Sequence, residues 1–436
     1  MKKQHSNTRL LCQLSAVAAL VLSGNAMADE AFSADSKWMT GDWGGERTKL
    51  IEQGIDIKAD YVGEMGANLH GGYNDDKTGR YSDQFGLGVA FDLQKLLGWD
   101  NTQAKIQLTN RNGQNISNDR IGDPRAGTLS SSQEVYGRGH MVRLTQLWVQ
   151  HQFLDGKLDV KAGYFGEGED FNTFPCDFQN LAFCGSQVGN WATGIWYNWP
   201  VSQAALRIKY NITPELYAQI GAYNQNPSQL EHGNGFKLSG SGTKGTVLPV
   251  ELVWSPKLNS LPGEYRVGYY KSTADANDVR KDVNGQDAAN TGDAYRVHNS
   301  KHGYWFVGQQ QLTTHNGDAS RGLNIAANAT FHDKDTNVVD NYQSLMFVYK
   351  GPFDARPKDD VGIGFARIHV NDDVRKNAQL INEDNGISNY DNPLYMPLRD
   401  TEYNYEINYG FHVTNWLTVR PNLQYITHPG GVDEVD

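Results

Sequence analysis

Side chains suited to recognition crowd into residues 165–200, FGEGEDFNTFPCDFQNLAFCGSQVGNWATGIWYNWP. Acids (Glu167, Glu169, Asp170, Asp177) stand there among rings (Phe171, Phe174, Phe178, Phe183, Trp191, Trp196, Tyr197, Trp199). A flat apolar ring can stack on the C–H face of a sugar while charged groups bond its hydroxyls. A second set lies upstream: Arg111, then Arg120, Arg125, Glu134 and Arg138 within 112–140, and Arg143 beyond. Mixed Arg and Glu around a narrow passage supply fixed donors and acceptors for vicinal hydroxyls, without the single-sign field of an ion-selective ring. Catalysis fits poorly. Glu167 and Glu169, two apart in a loop, fix no carboxylate separation, and the chain carries no HExxH, paired zinc-ligand or GK[ST] pattern. Asp75-Asp76 and Asp372-Asp373 lack EF-hand spacing. The expectation is a binding or transport protein with no enzyme activity, no cofactor and no metal.

These residues need an exported scaffold. Lys2, Lys3 and Arg9 precede an apolar core, Leu10 to Leu22, and Ala26-Met27-Ala28 forms an A-x-A cleavage site, so residues 1–28 read as a signal peptide. Its removal takes three cations and no acid, moving the net charge from −11 to −14, which argues against nucleic acid as a partner. Cys12 leaves with the signal, and Cys176 and Cys184 remain as an even pair in an oxidising compartment, where a disulfide is expected. The mature chain has no apolar run near the roughly 18 residues a membrane helix needs.

Residues 29–54 precede any strand signal and read as a periplasmic segment, with a short helix over Glu46 to Gln53 stopped by Gly54. From Ile55 to 436 a two-residue alternation takes over. Phe85, Leu87, Val89, Phe91 and Leu93 share one face, with Gln84, Gly86, Gly88, Ala90 and Asp92 on the other; Tyr403 to Val413 repeats the pattern with aromatics at both ends. The spacing predicts strands over 55–64, 83–95, 103–111, 141–153, 157–165, 201–212, 215–224, 246–255, 263–272, 302–313, 321–332, 341–351, 360–371, 400–413 and 416–427. Their connections alternate short and long, as periplasmic turns and extracellular loops do in an all-β transmembrane antiparallel barrel. To keep that alternation, 190–199 must be the returning limb of a loop rather than a strand. The long segments 112–140 and 166–200 are the expected constriction loops. Fifteen strands is an odd number, and an open edge in lipid leaves backbone groups unpaired. A sixteenth, closing strand is therefore expected beyond Asp436.

Over essentially the whole mature region the chain resembles the carbohydrate-selective outer-membrane porins of the OprB type, glucose-inducible channels. The resemblance is carried by Met39-Thr40-Gly41-Asp42-Trp43-Gly44-Gly45, by NRNGQNISNDRIGDPRAG (110–127), by GYFGEGEDFNTFPCDFQNLAFCGSQVGNW (163–191), and by the late NDD (371–373) and DNPLY (391–395). It implies a monomeric sixteen-stranded barrel, inserted by the barrel-assembly machinery among outer-membrane lipid and lipopolysaccharide. It also implies passage of glucose and other monosaccharides through an eyelet holding Arg111, Glu134 and Trp199. Strand phase adds Arg125 and Arg143, and the crowded loop adds Glu169 and Trp196, with Trp191 behind. The alternatives are a general or anion-preferring porin, or a secreted soluble glycan-binding β protein.

Overall fold

The alternation builds fifteen long strands: β1 (Ile55–Ala67), β2 (Gly79–Asp92), β3 (Thr102–Gly113), β4 (Met141–Phe153), β5 (Leu158–Phe165), β6 (Gln203–Thr213), β7 (Leu216–Gln225), β8 (Gly245–Trp254), β9 (Leu261–Ser272), β10 (Lys301–Gln311), β11 (Gly322–His332), β12 (Val339–Lys350), β13 (Asp360–Val370), β14 (Thr401–His412) and β15 (Asn422–Thr427). With two two-residue segments, Lys257–Leu258 and Thr418–Val419, they form one seventeen-stranded sheet. The structure is a computed structural model that describes residues 31–192 and 194–435; the segment read as a signal, 1–28, lies outside the described residues.

Each long strand pairs antiparallel with the next, from β1·β2 through β14·β15. One face of the sheet is an apolar band, with Phe85, Leu87, Val149, Leu252, Phe306, Ile363 and Ile407 exposed on it. So large an exposed apolar surface suits lipid, not water. The other face is polar and holds the two long loops. Their residues touch the sheet all the way round: Gln133 reaches β1 and β2 through Glu64 O and Ser82 Oγ, Asn172 reaches β8 and β11 through Glu251 and Asn328, and Tyr342 of β12 donates to Ala182 O. Gln179 bridges the two ends of the sheet, donating to Met65 O of β1 and accepting from Asn422 Nδ2 of β15. Among the described residues no ladder joins β1 to β15 directly.

The structure departs from the pattern reading in several places; the strand expected over 416–427, for one, is broken into Thr418–Val419 and Asn422–Thr427. The strand expected over 83–95 ends at Asp92, because the Asp92 carboxylate accepts from Gln94 N and Lys95 N and caps a short helix, Leu93–Leu97. The 273–301 loop carries a hairpin, Ala276–Asp282 with Tyr295–His298. The loop after β13 opens with a helix, Asp372–Asp384, capped by the Asn371 side chain. Residues 190–199 form no strand; one helical turn, Val188–Trp191, precedes the return to β6. Near the chain start, Arg47 of the helix Glu46–Glu52 lies over the Trp38 and Trp43 rings and donates to Ile57 O, seating that helix against β1.

Candidate functional site

The inward loops are fastened by glutamates that strand phase turns toward the lumen. Glu402 of β14 accepts from Leu129 N, Ser130 N and Gly430 N at 2.7–2.9 Å. Glu406, two inward positions along, accepts from Gln179 N (3.0 Å) and Asn180 N (2.8 Å). Glu251 of β8 accepts from Asn172 N and Trp305 Nε1, and Glu64 of β1 from Val135 N. All four are buried. A buried carboxylate is costly unless hydrogen-bonded, and backbone N–H donors supply short charge-assisted bonds. The two loops are also zipped together: Glu134 N donates to Gln179 O (3.0 Å) and Leu181 N to Ser131 O (2.8 Å). Cys176 and Cys184 are disulfide-bonded, and both Sγ atoms lie within 4.8 Å of a Glu134 carboxylate oxygen. That group cannot serve as a metal site, because its sulfurs are spent on each other.

Against this frame three of the expected residues meet. The β2–β3 register sets Gln84 opposite Arg111. Gln84 Oε1 accepts from Arg111 Nε and from Trp199 Nε1, each at 2.8 Å, so one amide aims both a guanidinium and an indole. Arg111 Nη2 stands 3.6 Å from Glu134 Oε2, and Nη1 is 3.4 Å from Glu134 O. Arg111 is buried, while Glu134 and Trp199 are half-buried. Burial pushes the Glu134 carboxyl up, and the Arg111 charge opposes that shift. A cavity of about 80 Å³ opens beside them, lined by Arg111, Asn112, Tyr136, Arg138 and His140.

The other candidates are held elsewhere. Arg125 pairs with Asp123 at 2.7 Å, donates to Tyr390 O and Asn392 O, and lies over the Tyr390 ring, stapling the 112–140 loop to the loop before β14. Arg143 gives its donors to the carbonyls of Gln229, Leu230 and Arg138. Glu169 pairs with Lys161 (2.9 Å), which also holds Asp170. Trp196 is 1% exposed, packed edge-on between Tyr270 and Trp305, and Trp191 is buried against Tyr342. Gln84 and the four glutamates are the residues that sequence reasoning passed over. Strand parity already placed Gln84 inward, and Glu402 and Glu406 on one polar face.

The two loops thus bring a ring, a guanidinium and a carboxylate together on the polar face of the sheet. Comparison with known proteins identifies the family. Residues 76–436 match the model of the carbohydrate-selective porin, OprB family. The chain is 68% identical over 437 residues to Porin B of Pseudomonas aeruginosa, covering 100% of this chain and 96% of that protein. It superposes on the high-pH structure of OprB from Pseudomonas putida with a TM-score of 0.93 at 69% identity, covering 93% of this chain and 97% of that one. These relatives are transport channels, not enzymes. The chain belongs to the OprB family of carbohydrate-selective porins, outer-membrane β-barrel channels of Gram-negative bacteria.

Proposed function

We propose that this porin passes monosaccharides, chiefly glucose, down their gradient through an eyelet formed by Arg111, Glu134 and Trp199. The observation that carries the reading is the shared Gln84 acceptor, which fixes the Arg111 guanidinium and the Trp199 indole relative to each other. Glu134 faces the same guanidinium across 3.6 Å, so opposite charges flank the passage without a direct hydrogen bond between them. Hydroxyls can bond to both while the ring meets the apolar face of the sugar. Such a site is strong enough to enrich sugar and weak enough to release it. Arg125, Arg143 and Glu169 act by holding the loops and wall, and Trp196 by packing behind them.

The test is single-channel current in a planar bilayer during glucose titration. A saturable fall in conductance, weaker with a neutral non-sugar of similar size and reduced by Arg111→Ala, is expected. Conductance indifferent to glucose would reduce the protein to a general sieve. A second reading, anion preference, draws support from the cavity beside the eyelet, whose lining includes Arg111 and Arg138 but no acid. It predicts a reversal potential displaced toward that of chloride in a salt gradient.

A further inference from the structure

The outward face of the sheet is largely apolar, and toward the extracellular end of one strand it carries an arginine. Arg367 lies on β13 at the same parity as the exposed Ile363 and Phe365. Its Nη1 donates to Asn341 Oδ1 (2.6 Å) and Gln343 Oε1 (3.2 Å), both on the neighbouring strand β12. Among the described residues it makes no ion pair, and its Nε and Nη2 have no hydrogen-bond acceptor. Asp340, on the neighbouring strand, is already engaged by His369 (2.7 Å) and Lys334 (3.3 Å), and links to Arg367 through Asn341. A charge facing lipid without a counter-ion is costly, and one near a strand end finds its partner at the headgroup level.

The depth fits that level. Arg367 is three positions before the end of β13 at Val370, roughly 10 Å along a strand, and that end leads into a long loop of the extracellular side. Tyr403 lies directly across the β13–β14 ladder from Arg367, and the Tyr304 and Phe331 rings stack at 5.0 Å in the row above, as an interfacial girdle would. Beside the cluster the outward surface is dented. A groove of about 580 Å³ runs from Gln343 across Ala329, Ala327 and Gly308 to Trp254. The groove exists because small residues on β10 and β11 floor it between larger neighbours. Its polar end is the amide that Arg367 holds.

We propose that Arg367, with Asn341 and Gln343, binds a phosphate of the lipid A moiety of lipopolysaccharide, and that the adjoining groove seats one of its acyl chains. Guanidinium and phosphate match in charge and in bidentate geometry, and Nε and Nη2 are the unused pair of donors. The leaflet at the extracellular end makes lipid A the source of that phosphate rather than a phospholipid.

The test uses protein extracted from outer membranes in mild detergent and weighed intact by native mass spectrometry. Wild type should retain lipopolysaccharide. Arg367→Gln should lower its re-binding affinity about tenfold or more, the scale of one charge-assisted bond. Ala329→Phe, which fills the groove and leaves the cation, should weaken it as well and keeps the test open if the first variant folds poorly. Glucose titration of the current should not change in either variant. Equal retention by wild type and both variants would overturn the site. So would equal competition by phosphatidylglycerol, which would assign the phosphate to a phospholipid, or a dimer dissolved by Arg367→Gln, which would assign the face to a second copy of the chain.

Discussion

Gln84→Ala should disorganise the eyelet while leaving the barrel intact. The substitution removes one oxygen and with it two hydrogen bonds of 2.8 Å, from Arg111 Nε and Trp199 Nε1. A bond from a charged donor contributes about 1.5–3 kcal/mol and a neutral one about 0.5–1.5 kcal/mol. Trp199 is half-buried, so water replaces part of its loss, whereas Arg111 is buried and its Nε does not recover easily. A net loss of about 2 kcal/mol in the ordering of the pair follows, roughly thirtyfold in the population of the aimed arrangement. The ladder between β2 and β3 is main-chain and survives. In planar bilayers the open-channel current should rise, and the glucose concentration for half-block should increase by up to that factor. Gln84→Glu is the control: its carboxylate can accept both bonds, so half-block should stay within about threefold, while the added charge offsets Arg111 and shifts ion selectivity toward cations. Unchanged current and half-block in Gln84→Ala would refute the claim that this amide aims the eyelet.

Two further perturbations address the frame. Glu406→Ala removes the acceptor for Gln179 N and Asn180 N, and Gln179 O in turn holds Glu134 N; two charge-assisted bonds, about 3 kcal/mol or more, are lost. Faster proteolysis within 166–200 and weaker glucose block are expected, with partial rescue by Glu406→Gln; protease resistance equal to wild type would count against the clamp. Glu167, fully buried in the constriction loop, has its carboxyl pushed up to about 8 by burial. Because its folded pKa lies above the ordinary carboxylate value, its contribution to stability is complete below that value and falls as pH rises through about 8. Current noise from the loop should therefore grow between pH 7 and 9 in wild type and not in Glu167→Gln; a flat wild-type response would exclude the titration.

Much of the fold was legible because lipid on one side and a polar lumen on the other force a strict period of two. Phe85 to Leu93 and Tyr403 to Val413 could be assigned to faces without coordinates, and the alternation of short and long connections excluded a strand over 190–199. The inward placement of Arg111 was accessible for the same reason. What pattern could not supply was partnership. Arg125 and Arg143 end on main-chain carbonyls of loops far away in sequence, Tyr390, Asn392, Gln229 and Leu230, and a carbonyl leaves no mark in a residue string. The Ala276–Asp282 hairpin had a visible turn signal in Asn284-Gly285, but lay inside a segment already accounted for as loop. Trp196 could not be separated from Trp199 by type; only burial against Tyr270 and Trp305 does so.

The lumen thus contains two populations of charge, and hydrogen-bonding capacity divides them. Glu402 and Glu406 accept three and two backbone donors, Arg125 and Arg143 have their donors committed to carboxylate or carbonyl, and Lys161 is shared between Glu169 and Asp170. Groups so fully engaged have little to offer a passing solute, and their contribution is rigidity. Arg111 and Glu134 differ. Their charged atoms are 3.6 Å apart, close enough to attract and too far for a proper hydrogen bond, while the clamps on Glu134 N and the Gln84 amide prevent either from moving in. Arg111 spends Nε on Gln84 and Nη1 on the Glu134 carbonyl, which leaves Nη2, facing the Glu134 carboxylate, as its uncommitted edge. On the proposed reading, a sugar hydroxyl in the passage meets that guanidinium edge and the Glu134 carboxylate together.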